Sequence, residues 1–112
     1  MRVLVCGGRD YADYAYVEEN LNDLPLGNSS VIIHGGAQGA DRLAERWAFA
    51  HGVDSERFSA DWEKHGKAAG PIRNQRMIDE GQPDLVVAFP GGKGTADMIR
   101  RARAAGVDVV EL

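Results

Sequence analysis

Cysteine is almost missing from this chain. The lone thiol, Cys6, has no partner for an intrachain disulfide, and its place at the end of an apolar run makes a reducing, cytoplasmic setting the expectation. Long hydrophobic stretches are missing too. No apolar run approaches the roughly 20 residues of a membrane span, and Met1-Arg2 leads into a strand-length segment rather than a signal-peptide core, so neither membrane insertion nor secretion is expected. A positive charge surplus is also lacking. With 13 Lys and Arg against 17 Asp and Glu, the formal net charge of −4 has the wrong sign for a protein that coats nucleic acid. Nucleic acid is therefore a poor partner, although a local basic pocket is compatible with that balance. His34, His51 and His65 show no metal-ligand spacing, and one cysteine builds no thiolate site, so no metal is expected. At 112 residues the chain fits one domain.

What the chain does have is glycine, gathered behind short apolar runs. Val3-Leu4-Val5-Cys6 ends in Gly7-Gly8 and reads as a strand buried on both faces. Tyr11 to Leu24 carries Tyr14, Val17, Leu21 and Leu24 on one helical face, with Pro25, Gly27 and Asn28 as the stop. Val31-Ile32-Ile33-His34 is a second strand, followed by a helix to about His51 with Leu43, Trp47 and Ala50 as its inward stripe and Gly52 as its stop. A polar edge strand is expected near Arg57-Phe58-Ser59. Asp61 to Gly70 shows no periodicity and reads as a loop or cap over the site. Pro71-Ile72 opens a helix that turns Ile72, Met77 and Ile78 inward and ends at Gly81 and Pro83. Leu85 to Ala88 is the fourth strand, Met98 to Ala105 a last helix, and Val107 to Leu112 the other edge strand. Strands alternating with helices imply a three-layer α/β sandwich around a five-stranded parallel sheet with right-handed crossovers. The three most apolar strands belong in the middle, which gives the order 3-2-1-4-5 and a crevice at the switch point between strands one and four.

The glycine turns after strands one, two and four then meet at one rim. The second and fourth turns echo each other: Gly35-Gly36-Ala37-Gln38-Gly39-Ala40-Asp41 against Gly91-Gly92-Lys93-Gly94-Thr95-Ala96-Asp97. Tight turns take glycine for their own sake, and Asp in a first helical turn is favoured by the dipole alone. Three such turns at one edge favour a ligand site, with bare backbone and helix-terminal amides offered to a phosphate or carboxylate. The candidate contacts are Gly7, Gly8, Arg9, Gly35, Gly36, Gly39, Asp41, Gly91, Gly92, Lys93, Gly94 and Thr95. One or two of Arg9, Arg73, Arg76 and Lys93 are expected to face the crevice. Arg100, Arg101 and Arg103 are assigned to a solvated face. The Walker and dinucleotide-binding patterns both fail, so no cofactor is assigned. Cys6 reads as a buried apolar residue more readily than as a nucleophile, and Trp62 as a core or lid residue or a base-stacking one.

The run Phe89-Pro90-Gly91-Gly92-Lys93-Gly94-Thr95 resembles the PGGxGT signature of the LOG phosphoribohydrolases, and Arg73 and Met77 are similar to that family's Arg-Lys-x-x-Met. Gly7-Gly8-Arg9-Asp10 and His34 to Asp41 resemble the YspA-like branch of the wider SLOG superfamily, which also holds Smf/DprA. The resemblance implies a Rossmann-like fold binding a nucleotide or nucleotide-derived ligand, with Arg73, Gly91, Gly92, Gly94 and Thr95 as contacts and a homodimer as the assembly. The family pattern continues to a glutamate whose position here is Met98, and a thioether neither moves a proton nor stabilises an oxocarbenium ion. Binding without turnover is therefore the first expectation. Cleavage of a base-to-ribose bond, with Asp41, Asp97 or Asp10 as the carboxylate, is the alternative, and single-stranded DNA binding as in DprA the second.

Overall fold

The computed structural model describes residues 1–27 and 29–112; Asn28, read as part of a helix stop, lies outside the described residues. Five strands, β1 (Arg2–Cys6), β2 (Val31–His34), β3 (Asp54–Arg57), β4 (Leu85–Ala88) and β5 (Asp108–Glu111), form a sheet in the order β3-β2-β1-β4-β5. Every pairing is parallel, with Leu4 opposite Ile33 on one side and Val86 on the other. The architecture is the Rossmann-like sandwich that the alternation of apolar strands and helices predicts.

Side-chain alternation along the central strands builds two cores at once. Val3, Val5, Ile32, Val87 and Phe89 face α1 (Tyr14–Asn22) and α2 (Ala40–Ala50), where Val17, Leu21, Ala44 and Trp47 meet them. Leu4, Cys6, Ile33, Val86 and Ala88 face α4 (Ala69–Asp79) and α5 (Lys93–Ala104) through Met77, Ile78, Met98 and Ala102. The edge strands are polar and largely exposed, as expected of strands that bury one side at most.

Several boundaries and faces differ from the sequence reading. The first helix begins at Tyr14, because Asp13 caps it by accepting the Tyr16 amide, and β3 lies at Asp54–Arg57 rather than Arg57 to Ser59. The buried stripe of α2 is Ala40, Ala44, Trp47 and Ala48; Leu43 is partly buried and Ala50 exposed. The third helical segment starts earlier than Pro71. Asp61 caps α3 (Trp62–His65) by accepting the Lys64 amide, and a 3₁₀ turn over Gly66–Ala68 runs into α4. Beginning α4 at Ala69 turns Gly70, Asn74, Met77 and Ile78 inward and leaves Ile72 39% exposed on the opposite side. Likewise α5 starts at Lys93, inside the glycine run.

Small residues let α2 sit close to the sheet. Ala44→Leu is expected to cost about 1–3 kcal/mol by overpacking, whereas Ala50→Leu should stay within about 0.5 kcal/mol. Urea denaturation of the two variants measures this, and equal midpoints would contradict the assigned face.

Candidate functional site

The turns after β1, β2 and β4 are stitched together by backbone. Gly8 donates its amide to the Pro90 carbonyl (2.9 Å) and accepts from the Ala40 amide (3.2 Å) with its own carbonyl. A Cβ on Gly39 would fall 2.1 Å from the Gly8 oxygen, and Gly39 has φ +78°, so only glycine brings the second turn this close. A Cβ on Gly91 would fall 2.2 Å from Thr95 Oγ1 and 2.7 Å from the Gly8 nitrogen. Tyr11 and Tyr16 pack on Phe89 with ring centroids 5.4 and 6.1 Å away, which anchors the fourth strand's exit against the first.

In front of these turns lies a cavity of about 680 Å³, within the range usual for small-molecule sites. Nine of the expected residues line it: Gly7, Gly8, Arg9, Asp41, Arg73, Gly92, Lys93, Gly94 and Thr95. Gly35, Gly36, Gly39 and Gly91 do not. They sit behind the lining, where Arg73, Arg57, the Gly8-Arg9 backbone and Thr95 occupy the space a side chain would need. Three of the four basic candidates reach the cavity, more than expected; Arg76 instead pairs with Glu80 at 2.9 Å. Lys67, Asn74 and Arg100 line it without having been singled out as contacts. Lys67 lies in the aperiodic segment, which offers no signal, and Asn74 lies beside the expected Arg73, where only a helix phase for 69–79 points to it.

The two echoing turns do different things. The second is closed on itself: Asp41 Oδ2 accepts from the amides of Gly35 (3.1 Å) and Ala37 (3.3 Å), Arg73 Nη1 donates to the Gly35 carbonyl (3.0 Å), and Gly8 takes the first amide of α2. The fourth is open. Gly92 is the N-cap of α5 with no side-chain cap and no acidic residue in the first turn, and the amides of Lys93, Gly94 and Thr95 have no partner among the described residues. Nothing lies within 4 Å of where a Cβ would stand on Gly92 or Gly94. Asp97, the counterpart of Asp41, lines the cavity but leaves these amides free, its carboxylate taken by Asn74 Nδ2 (3.0 Å), Arg101 Nε (2.8 Å) and Arg100.

Electrostatics follow from these contacts. Burial pushes Asp97 upward, but hydrogen bonds from Arg101 and Asn74 and the charges of Arg101 and Arg100 outweigh it and hold the carboxylate below its usual range. Arg101, 29% exposed, is thus a partly buried ion-pair partner rather than part of a solvated face, whereas Arg100 and Arg103 are exposed as expected while pairing with Asp97 and, at 3.2 Å, with Glu111. Arg9, Lys67 and Lys93 have no ion-pair partner among the described residues, so the lining carries uncompensated positive charge in a chain of net charge −4. Burial, with Asp41 nearby, raises the Cys6 thiol to about 12, which keeps it protonated and poorly nucleophilic. His34 is buried at the end of β2. Its Nδ1 accepts the Gly36 amide (3.0 Å), and its Nε2 lies 3.1 Å from the Glu45 carboxylate, a charge–dipole contact rather than an aligned hydrogen bond. Among the described residues no three His, Cys, Asp or Glu side chains gather in a metal-binding group, and no helix is long and apolar enough to cross a membrane.

Asp41 is raised to about 6 by burial, which outweighs its two backbone donors and the Arg73 and Arg9 charges. Folded chains therefore hold this proton to higher pH than unfolded ones, and the group's contribution to stability falls as pH rises from about 4 through 6. Wild-type stability minus that of Asp41→Asn should drop over that window by an amount on the order of 3 kcal/mol. Chemical denaturation from pH 4 to 7.5 tests this, and a flat difference curve would refute it.

Residues 1–65 match the model of a family described as the YspA, cpYpsA-related SLOG family. Over 97% of its length the chain is also similar, at 42% identity, to the Gene 61 protein of Mycobacterium phage D29, of which it covers 94%. The family match takes in the first two glycine turns, and the likeness to the phage protein spans nearly the whole chain. A parallel 3-2-1-4-5 sheet whose first two turns interlock through Gly8, Gly39 and Ala40, with that match across them, places this chain in the YspA, cpYpsA-related SLOG family.

Proposed function

We propose that this protein binds a small nucleotide or nucleotide-derived anion, with a phosphate at the amides of Lys93, Gly94 and Thr95 and its charge balanced by Lys93 and Arg73. The observation that carries the reading is the unplugged N-terminus of α5 opening on a cation-rich cavity. Helix-terminal amides and the macrodipole favour an anion there, and the bare faces of Gly92 and Gly94 let it approach the backbone. SLOG membership supports the nucleotide-related class, and the likeness of Phe89 to Thr95 to the LOG loop supports the phosphate position.

Turnover is a second reading because of one carboxylate. Met98 stands where the LOG pattern has its glutamate and is 1% exposed, and Asp97 is consumed by three donors. Asp41 lines the cavity with a proton affinity near neutrality, the range suited to general acid–base work on a glycosidic bond. Net charge disfavours single-stranded DNA as the ligand.

Thermal shift with AMP, GMP, CMP, UMP, ribose 5-phosphate and the free nucleosides, with chromatography for released base, tests both readings. Phosphorylated compounds should stabilise by about 2.7 kcal/mol at a hundredfold excess over Kd, and nucleosides far less. Base release abolished by Asp41→Asn would establish the second reading, and no stabilisation by any phosphorylated compound would overturn both.

Two glycine variants separate fold from site. Gly91→Ala should cost about 1–3 kcal/mol because its methyl has no room. Gly94→Ala should gain up to about 1 kcal/mol of helix stability while weakening nucleotide binding by roughly tenfold. Undiminished binding by Gly94→Ala would place the phosphate elsewhere.

A further inference from the structure

We infer that Trp62, backed by Arg9, is the platform on which the ligand's aromatic base stacks, so that the bound molecule runs from a phosphate at α5 to a heterocycle at α3. This rests on the reading of the cavity as a nucleotide site and assigns its other end. Trp62 is 49% exposed and lines the cavity, on a helix with no buried residue, so core packing does not account for the indole. The other tryptophan shows the contrast: Trp47 is 3% exposed, lies in the α1–α2 core and donates Nε1 to Asn22 Oδ1 at 2.9 Å. Two features fix the Trp62 helix: Asp61 caps it and Gly66 ends it with φ +56°. The Trp62 indole edge lies over Gly70, where a Cβ would stand 3.4 Å from it.

The Arg9 guanidinium lies 5.5 Å from the indole centroid, toward the far end of cation–π range. Arg9 comes from the turn after β1 and Trp62 from the helix over the rim, so the pair bridges the cavity's floor and its cover. Lys67 adds a cation from the same cover. An aromatic face beside a guanidinium suits a planar heterocycle of any base identity, because every base offers a π-face and stacking reads no hydrogen-bond pattern. A sugar phosphate without a base would use only the α5 end.

The experiment is equilibrium titration of the four nucleoside monophosphates and of ribose 5-phosphate, read by thermal shift and tryptophan emission, on wild type, Trp62→Phe and Trp62→Leu. A nucleotide that stabilises the wild type should change its emission, and ribose 5-phosphate should stabilise without doing so. Trp62→Leu should weaken nucleotide binding by about 5- to 150-fold and leave ribose 5-phosphate unchanged. Trp62→Phe should keep most of the affinity, and both variants should melt within a few degrees of wild type. The inference is overturned if ribose 5-phosphate binds as tightly as the nucleotides, or if Trp62→Leu weakens both equally or neither. Those outcomes leave the phosphate site standing, whereas no response to any of the five compounds removes that site and this inference together.

Discussion

A single residue, Gly8, joins the three turns that form the rim. The amide of Gly8 is spent on the fourth strand's exit and its carbonyl on the second helix's entry, so the first turn works as a clasp between elements far apart in sequence. A side chain on Gly39 or Gly91 would collide with this clasp, which ties the shape of the cavity to backbone contacts rather than to the lining side chains. Because the clasp is made of main-chain groups, lining residues can change chemistry without moving the rim.

The clasp also makes the two similar turns unequal. By filling the entrance to α2 with the Gly8 carbonyl, and with Asp41 folded back on its own turn, the structure leaves α5 as the helix start that opens on the cavity. A repeated glycine pattern thus serves once as an internal joint and once as an exposed surface. The two aspartates follow suit: Asp41 holds the joint, and Asp97, at the cavity wall, is tied into an arginine and asparagine network instead of capping its turn.

Much of the fold was legible because strand burial writes itself into composition. Val3 to Cys6, Val31 to His34 and Leu85 to Ala88 are apolar on both faces and fall where expected, and the polar β3 and β5 take the edges. Segments without a buried stripe were not legible. The α3 helix is four residues, none of them buried, and shows no period, and the phase of α4 was lost because its inward positions include Gly70 and Asn74, which carry no hydrophobic signal. The glycine turns were located correctly, but their spacing alone does not reveal which glycines face a neighbour and which face open space. That depends on where the other turns lie. Arg101 is half legible: its pairing with Asp97 is an i,i+4 contact within α5 that spacing alone offers, whereas its bond to Gln75 on α4 depends on a tertiary contact.

His34 shows what kind of replacement the second turn would accept. With Nδ1 committed as acceptor to the Gly36 amide, the neutral ring carries its hydrogen on Nε2, toward Glu45. The imidazole is used as a fixed dipole of a given length, an acceptor for the Gly36 amide at one end and an N–H near the Glu45 charge at the other, rather than for its own charge. An amide side chain could imitate that polarity, while a phenyl ring of similar volume would strand the Gly36 amide without a partner at a cost of about 1–3 kcal/mol.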